Sequence, residues 1–446
     1  MTSKERLAPA LETEGGLDEA SAAEPGRTST LAALEFRDFR LFWFGLVVSN
    51  IGTWMQIFGL GWLVVQLAVR DGVPQLAPLY LGLVGLSRAL PGLTFGLVAG
   101  VVADRTDRRR LLMITQGSAG IIAAILAVLT ITERIKIIDV LLLVALNSVI
   151  FSFDAPTRQS MVPRLVTDRE LMSAIGLNSA AFNGATLIGP LIGGVLIIPF
   201  GVGGLMAINA LSYLAIIVAL LLMRPQPVIE SGTRKTMLEA ISEGVQYVRR
   251  EPVLRWVVLL TATTALFTRP YIQLLPAEAQ ALGVGAVELS FLLAASGAGA
   301  LVGALATASL GGVKRRGAVL VTSVLAHGLL LSLFAEQRTL VGAMVFIGLT
   351  SLAVMVFLGM ANTLMQTRTP DHLRGRAMSV HTMVFMGLMP LGQMLLGALG
   401  TVIGIDRAFL AGGLIVVLVS TFALIRAGAL RDALATTPAR AVARSV

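Results

Sequence analysis

Six of the seven residues from Asp104 to Arg110 are charged, and they stand between two long apolar runs, one ending near Val102 and the next starting at Leu111. So dense a charge cluster cannot lie in hydrocarbon, whereas the runs that flank it have the length and composition to do so. The string Gly100-Val101-Val102-Ala103-Asp104-Arg105-Thr106-Asp107-Arg108-Arg109-Arg110 is therefore a tight polar turn between two membrane spans. Its arginines place that turn on the cytoplasmic side. The same alternation continues along the chain. Mean hydropathy is +0.82 and only 14% of residues are charged, where a soluble domain carries about a quarter.

A chain of 446 residues has room for about a dozen spans of about 20 residues joined by short loops. Residues 1–34 read as a disordered cytoplasmic tail with no apolar core long enough for a signal peptide. Residues 35–223 hold six spans, the fifth at 172–198 and the sixth at 202–223, and residues 253–428 hold six more, the first of them at 253–275. Between the halves, residues 224–252 form a linker in which Met237, Leu238, Ile241, Val245 and Val248 recur at helical spacing. That stripe predicts an amphipathic helix lying at the membrane surface. Residues 429–446 read as a second cytoplasmic tail.

The basic residues set the orientation. Of the 35 Lys and Arg, Arg88 and Arg269 fall inside spans and Arg70, Arg134, Lys136, Arg338 and Arg407 fall on the exterior loops, which leaves 28 for the cytoplasmic side. Because they come in short clusters between apolar runs, the net charge of +9 reflects topology and not nucleic-acid binding. There is no cysteine, the three histidines are far apart, and no phosphate loop occurs, so no metal, cofactor or ATP drive is expected. No Ser-His pair or intramembrane acid cluster suggests an enzyme.

Internal echoes support two halves. Gly311 to Gly317 is a worn copy of the 100–110 turn, Pro163-Arg164 to Asp168-Arg169 matches Pro370-Asp371 to Arg376, and Gly189-Pro190 finds an echo in Pro390-Leu391-Gly392.

The spacing Gly-x-x-x-Asp-Arg-x-x-Arg-Arg resembles the loop between helices 2 and 3 of the major facilitator superfamily of secondary transporters; the family usually has Gly where this chain has Asp107. The strings Gly52 to Gln56, Phe153 to Gln159, Asn178-Ser179 and Arg374 to Ser379 look like its branch of bacterial enterobactin exporters and drug:proton antiporters of the third group. The resemblance covers residues 36–428. It implies an all-α membrane protein with 12 transmembrane helices in two pseudo-symmetric six-helix halves. It also implies a proton-coupled exporter of amphiphilic drugs or siderophore-like small molecules. Such a protein would be a monomer in the lipid bilayer of a bacterial inner membrane, with both termini cytoplasmic.

By the same resemblance, Gly100, Asp104, Arg105, Arg108, Asp154 and Arg158 form a gating latch, with Asp104 and Arg108 four apart on one helical turn. Gly184, Gly189, Pro190, Gly193 and Gly194 match an element of exporters in helix 5, with Ala185 at its first glycine position. Polar groups within spans are candidates for the substrate cavity: Asn50, Trp54, Gln56, Arg88, Asn147, Asn178, Asn183, Arg269, Tyr271, Asn362 and His381. Arg88 needs a backbone carbonyl, water or an acidic group on the substrate, and Arg269, nearer the exterior, reads as a gate or a snorkelling side chain. Met386 and Met389 belong to a Met-rich run that suits either adaptable ligand contact or core filling. Asp154, Glu278, Glu288, His327 and His381 are the titratable groups available for proton coupling. A lysophospholipid flippase and a non-transporting membrane scaffold or sensor remain alternatives.

Overall fold

The computed structural model describes residues 29–224 and 237–426 apart from Gly311, Gly312 and Lys314, with the side chains at 97, 98, 100, 101, 103–105 and 237–241 outside the description. In chain order the helices are α1 (Arg37–Arg70), α2 (Ala77–Arg105), α3 (Arg108–Ile131), α4 (Ile137–Met161), α5 (Leu171–Leu222), α6 (Met237–Arg250) and α7 (Pro252–Phe267). They continue as α8 (Tyr271–Ala281), α9 (Ala286–Ser309), α10 (Arg316–Ala335), α11 (Leu340–Arg368), α12 (Asp371–Ile403) and α13 (Ile405–Arg426).

Ten of these helices are long and apolar enough to cross a membrane. One of the ten, α5, runs for 52 residues and turns back on itself at Gly201, whose φ of +64° only glycine adopts without penalty. Both its ends meet the start of α1: Ala33 N–H donates to Ser173 Oγ at 3.2 Å and Arg37 Nη1 donates to the Leu222 carbonyl at 3.2 Å. It therefore supplies two spans. The predicted span at 253–275 is broken at Thr268, Arg269 and Pro270 into α7 and α8, which together make one crossing. The described residues thus contain the twelve crossings of the major facilitator fold.

Three expectations are corrected. The disordered tail to residue 34 is too long: Ala32–Glu35 form a 3-10 turn with Ala33 buried, and Ser173 Oγ donates to the Thr30 carbonyl at 2.8 Å. The two stripe residues whose side chains are described, Val245 and Val248, pack on protein; those of Met237, Leu238 and Ile241 lie outside the described residues. Val248 is buried in a core with Val253, Leu364 and Val380, Tyr247 OH donates to the Arg368 carbonyl at 2.9 Å, and Glu243 pairs with Arg376. Asp104 and Arg108 do not share a helical turn. α2 ends at Arg105, Thr106 is extended, and Asp107 caps α3 by accepting from Arg109 N–H at 2.9 Å and Arg110 N–H at 3.2 Å. An Asp at the N-cap satisfies donors that a glycine would leave to water, which is why the turn works without the usual Gly.

The pseudo-symmetry is visible in packing. A Cβ on Gly189 of α5 would sit 2.6 Å from Trp54 Cβ and 3.0 Å from Met55 N of α1; one on Gly392 of α12 would sit 2.7 Å from the Ala265 carbonyl oxygen of α7. In each half a glycine near a proline, Gly189 or Gly392, lets the fifth helix lie close against the first.

The start of α1 and the end of α13 mark one end of the bundle, the terminus end; the α1–α2 and α12–α13 turns mark the other, the far end. At the far end one continuous apolar core joins both halves, including Leu60, Leu67 and Leu81 from the first and Leu274, Leu275 and Leu396 from the second. At the terminus end the core splits in two, one around Phe39, Phe42 and Leu220, the other around Val257, Phe357 and Leu364. Glycines report the same asymmetry. Cβ atoms built on Gly96, Gly176, Gly184, Gly375 and Gly387 meet nothing within 4 Å, while one on Gly82 would lie 3.0 Å from Met394 Cα across the interface. The halves are pressed together at the far end and splayed at the terminus end.

Candidate transport cavity

A cavity of about 260 Å³ lies among α1 to α5, and its polar lining comes mostly from α1, α3 and α4. Asp154 of α4, 4% exposed, anchors it. Its Oδ1 accepts from Gln116 Nε2 at 2.6 Å and Thr115 Oγ1 at 3.0 Å, and its Oδ2 lies 3.7 Å from Arg158 Nη2. Arg158 Nη1 in turn donates to Asn50 Oδ1 at 3.5 Å, tying α4 to α1. A buried carboxylate with this many partners has its desolvation offset. The loop arginines bond inside their own half: Arg108 Nε donates to Ser160 Oγ at 2.8 Å and Arg109 Nη2 to the Leu221 carbonyl at 2.9 Å. Asp154 and Arg108 thus have separate partners in this conformation. The side chains of Gly100, Asp104 and Arg105 lie outside the described residues.

Asn50, Trp54, Gln56, Arg88 and Asn147 line this cavity. Gln56 Oε1 accepts from Asn209 Nδ2 at 2.6 Å, and Trp54 stands edge-on to Phe182 with centroids 5.9 Å apart. Arg88 is near the middle of α2, where its own backbone carbonyl accepts from Ser148 Oγ. Its side chain is open to the cavity, and among the described residues no carboxylate pairs with it. It also lines a second cavity, of about 180 Å³, between the two halves. There Ile57, Leu60, Leu81 and Val84 face Gln273, Met386, Met389, Pro390 and Gln393.

The other predicted cavity residues lie elsewhere. Tyr271 is fully buried in a hydroxyl cluster of the second half, 2.7 Å from Ser351 Oγ and 3.5 Å from Ser296 Oγ. Arg269 Nε is buried nearby without a hydrogen-bond partner. It stands at the α7–α8 break and lines neither of the two cavities. His381 Nε2 is 3.1 Å from Thr261 Oγ1 and fastens α12 to α7. Asn183 Nδ2 donates to the Ser179 carbonyl of its own helix at 2.8 Å, and Asn362 Oδ1 accepts from Gln366 at 3.1 Å. Asn178 lines neither cavity.

In the helix 5 element, Gly193 admits α1, a Cβ there meeting Phe58 Cδ1 at 2.7 Å, and Gly194 faces Ser290 of α9 across the halves. Pro190 is buried beside Gly189, and Gly184 lies in open space. Sequence reasoning missed Thr115, Gln116, Tyr213 and Gln393. The signal for three of them was available: Thr115-Gln116 interrupts the apolar run of span 3, and Gln393 that of span 11.

The chain matches the family described as transmembrane secretion effector over residues 28–441. It belongs to that family of major facilitator transporters. The transporter is 30% identical over 403 residues to the multidrug efflux pump Tap of Mycobacterium tuberculosis, covering 88% of this chain and 94% of that one. It is 25% identical over 358 residues to the enterobactin exporter EntS of Salmonella typhimurium, covering 80% and 86%. Among solved structures, it shares the fold of a bacterial homologue of the human lysosomal transporter Spinster in its inward-facing, unoccupied conformation. That match has TM-score 0.65 at 15% identity and covers 88% of this transporter and 98% of that chain. The transporter is thus a multi-pass membrane protein of a transport family, not an enzyme.

Proposed function

We propose that this transporter exports small amphiphilic molecules across the bacterial inner membrane by alternating access, driven by protons. The observation that carries the reading is the asymmetric closure. A largely apolar cavity with a few convergent polar groups, the usual form of a small-molecule site, lies in a bundle sealed at the far end and splayed at the terminus end. The cluster of Lys and Arg at the terminus end supports placing that end, with both chain termini, in the cytoplasm. On that orientation the molecule stands inward-facing and ready to load. The relatives whose names describe a multidrug efflux pump and an enterobactin exporter support the outward direction.

In this reading the two six-helix halves, 35–223 and 253–428, rock about the cavity as a monomer, with the 224–252 linker between them. The latch of Gly100, Asp104, Arg105 and Arg108 engages when the cytoplasmic end closes; Asp154 and Arg158 brace the cavity behind it. Among the described residues, Asp154 and Glu278 are the buried carboxyl groups available to carry the proton. The test is efflux from proteoliposomes under an imposed pH gradient, with a panel of fluorescent amphiphiles and a catecholate siderophore, wild type against Asp104→Asn. Gradient-driven movement that the variant lacks is expected. Gradient-independent movement of lysophospholipid alone would replace this reading with a flippase.

A further inference from the structure

We propose that the cargo is an amphiphile with a single acidic group of carboxylate type, bound by Arg88, with its apolar body in the cavity between the halves. The proposal rests on the exporter reading and specifies the chemistry of its cargo.

Among the described residues two guanidinium groups face the cavities, and they differ. Arg158 has Asp154 at 3.7 Å and Asn50 at 3.5 Å. Arg88 has no carboxylate partner among the described residues, although it stands near the middle of a membrane span. An anion is worth most to a cation placed so, because hydrocarbon surroundings weaken the competition from water. The planar fork of an arginine also matches a carboxylate with two parallel hydrogen bonds.

Acidic side chains are as informative. Asp154 is the single carboxylate lining either cavity among the described residues, and Thr115, Gln116 and Arg158 already engage it. Among the described residues a cationic cargo would find no free carboxylate in either cavity, whereas an anionic one finds Arg88. Selectivity follows from that imbalance.

Arg88 also stands where the two cavities meet, since Ile57, Leu60 and Arg88 line both. On one side lie the amides of Asn50, Gln56 and Asn147. On the other lies the inter-half cavity, walled by apolar groups of α1, α2 and α12, including Val84, Met386 and Met389. A headgroup at Arg88 therefore leaves its apolar tail facing thioethers that adapt to its shape. Both halves wall that cavity, so it exists only while the far end is closed. Opening the far end moves α8 and α12 away from α1 and α2 and strips the tail of half its contacts, which promotes release on that side.

The test measures binding of a matched probe set to the purified transporter in nanodiscs: dansyl-aminododecanoic acid, its methyl ester and the corresponding alkyl amine. Wild type should bind the acid about tenfold or more tighter than the ester or amine, as expected for one charge-assisted pair. Arg88→Gln should bring the acid down to the ester's affinity and leave the ester unchanged, and Arg88→Glu should reverse the preference toward the amine. Unchanged ester binding also certifies that the variants are folded. If wild type binds the amine as tightly as the acid, or Arg88→Gln weakens acid and ester alike, the proposal is overturned. Acid that binds through Arg88 yet is never moved in proteoliposomes would refute the exporter reading instead.

Discussion

Gln393 of α12 donates from Nε2 to the Leu81 carbonyl of α2 at 2.8 Å, so that one hydrogen bond crosses from one half of the molecule to the other. Gln393 is 7% exposed and lies against Gly85, where an added Cβ would run into its amide. The bond forms only when the far end is shut, and it therefore weights the conformational equilibrium toward this state. Gln393→Leu should relax that bias by about 1 kcal/mol, roughly a fivefold shift in population toward far-end opening. Spin labels on α2 and α12 read by electron–electron distance measurement would show the longer distance gaining weight. An unchanged distribution would mean the bond carries no conformational preference.

A covalent version of the same closure is available because the chain has no cysteine of its own. A Cβ built on Gly400 lies 3.2 Å from Pro78 Cβ, near the separation a disulfide needs. The double variant Pro78→Cys, Gly400→Cys should cross-link under mild oxidation, abolish transport, and keep cargo binding from the terminus end. Reduction should restore transport. Persistent transport with the bridge formed would show that the far end need not open.

Asp154 of α4 holds α3 through Gln116 and Thr115 and pairs with Arg158 one turn along its own helix. Asp154→Ala should cost about 2 kcal/mol, because it leaves two buried donors without an acceptor and takes the counter-charge from the half-buried guanidinium of Arg158. Asp154→Asn, which keeps the shape and loses the charge, should cost less. Thermal unfolding in detergent would rank the three proteins, and an Asp154→Ala variant as stable as wild type would remove the bracing role.

The cap on α3 separates two explanations for the residue that departs from the family's usual glycine. Asp107→Ala should lower stability by about 1 kcal/mol, while Asp107→Gly should lower it by only a few tenths. Equal losses would mean that Asp107 acts through its 3.8 Å pairing with Arg110 and not through the cap.

Much of this architecture was legible in the residues. The charge cluster at 104–110 and the apolar runs were enough for twelve crossings. Asn50, Gln56, Arg88 and Asn147 were legible as cavity groups because a polar side chain within a span must face protein or water. Thr115 and Gln116 of span 3 meet the same criterion and line the same cavity. Tyr271 and His381 met it too, yet they bond to Ser351 and Thr261 inside the second half. A polar residue within a span announces that it needs a partner and does not name it.

The amino-acid sequence by itself determined which segments enter the membrane, since transfer of a side chain into hydrocarbon depends on its own chemistry. It also determined the close helix contacts at Gly189 and Gly392, where the absence of a side chain is the property that matters. Only the tertiary structure decided that Asp154 is satisfied while Arg88 is left open, and that the halves share one core at the far end and two at the other. Those facts depend on distances between residues remote in the chain, and on which of two nearly balanced packings the bundle adopts. Local composition carries neither.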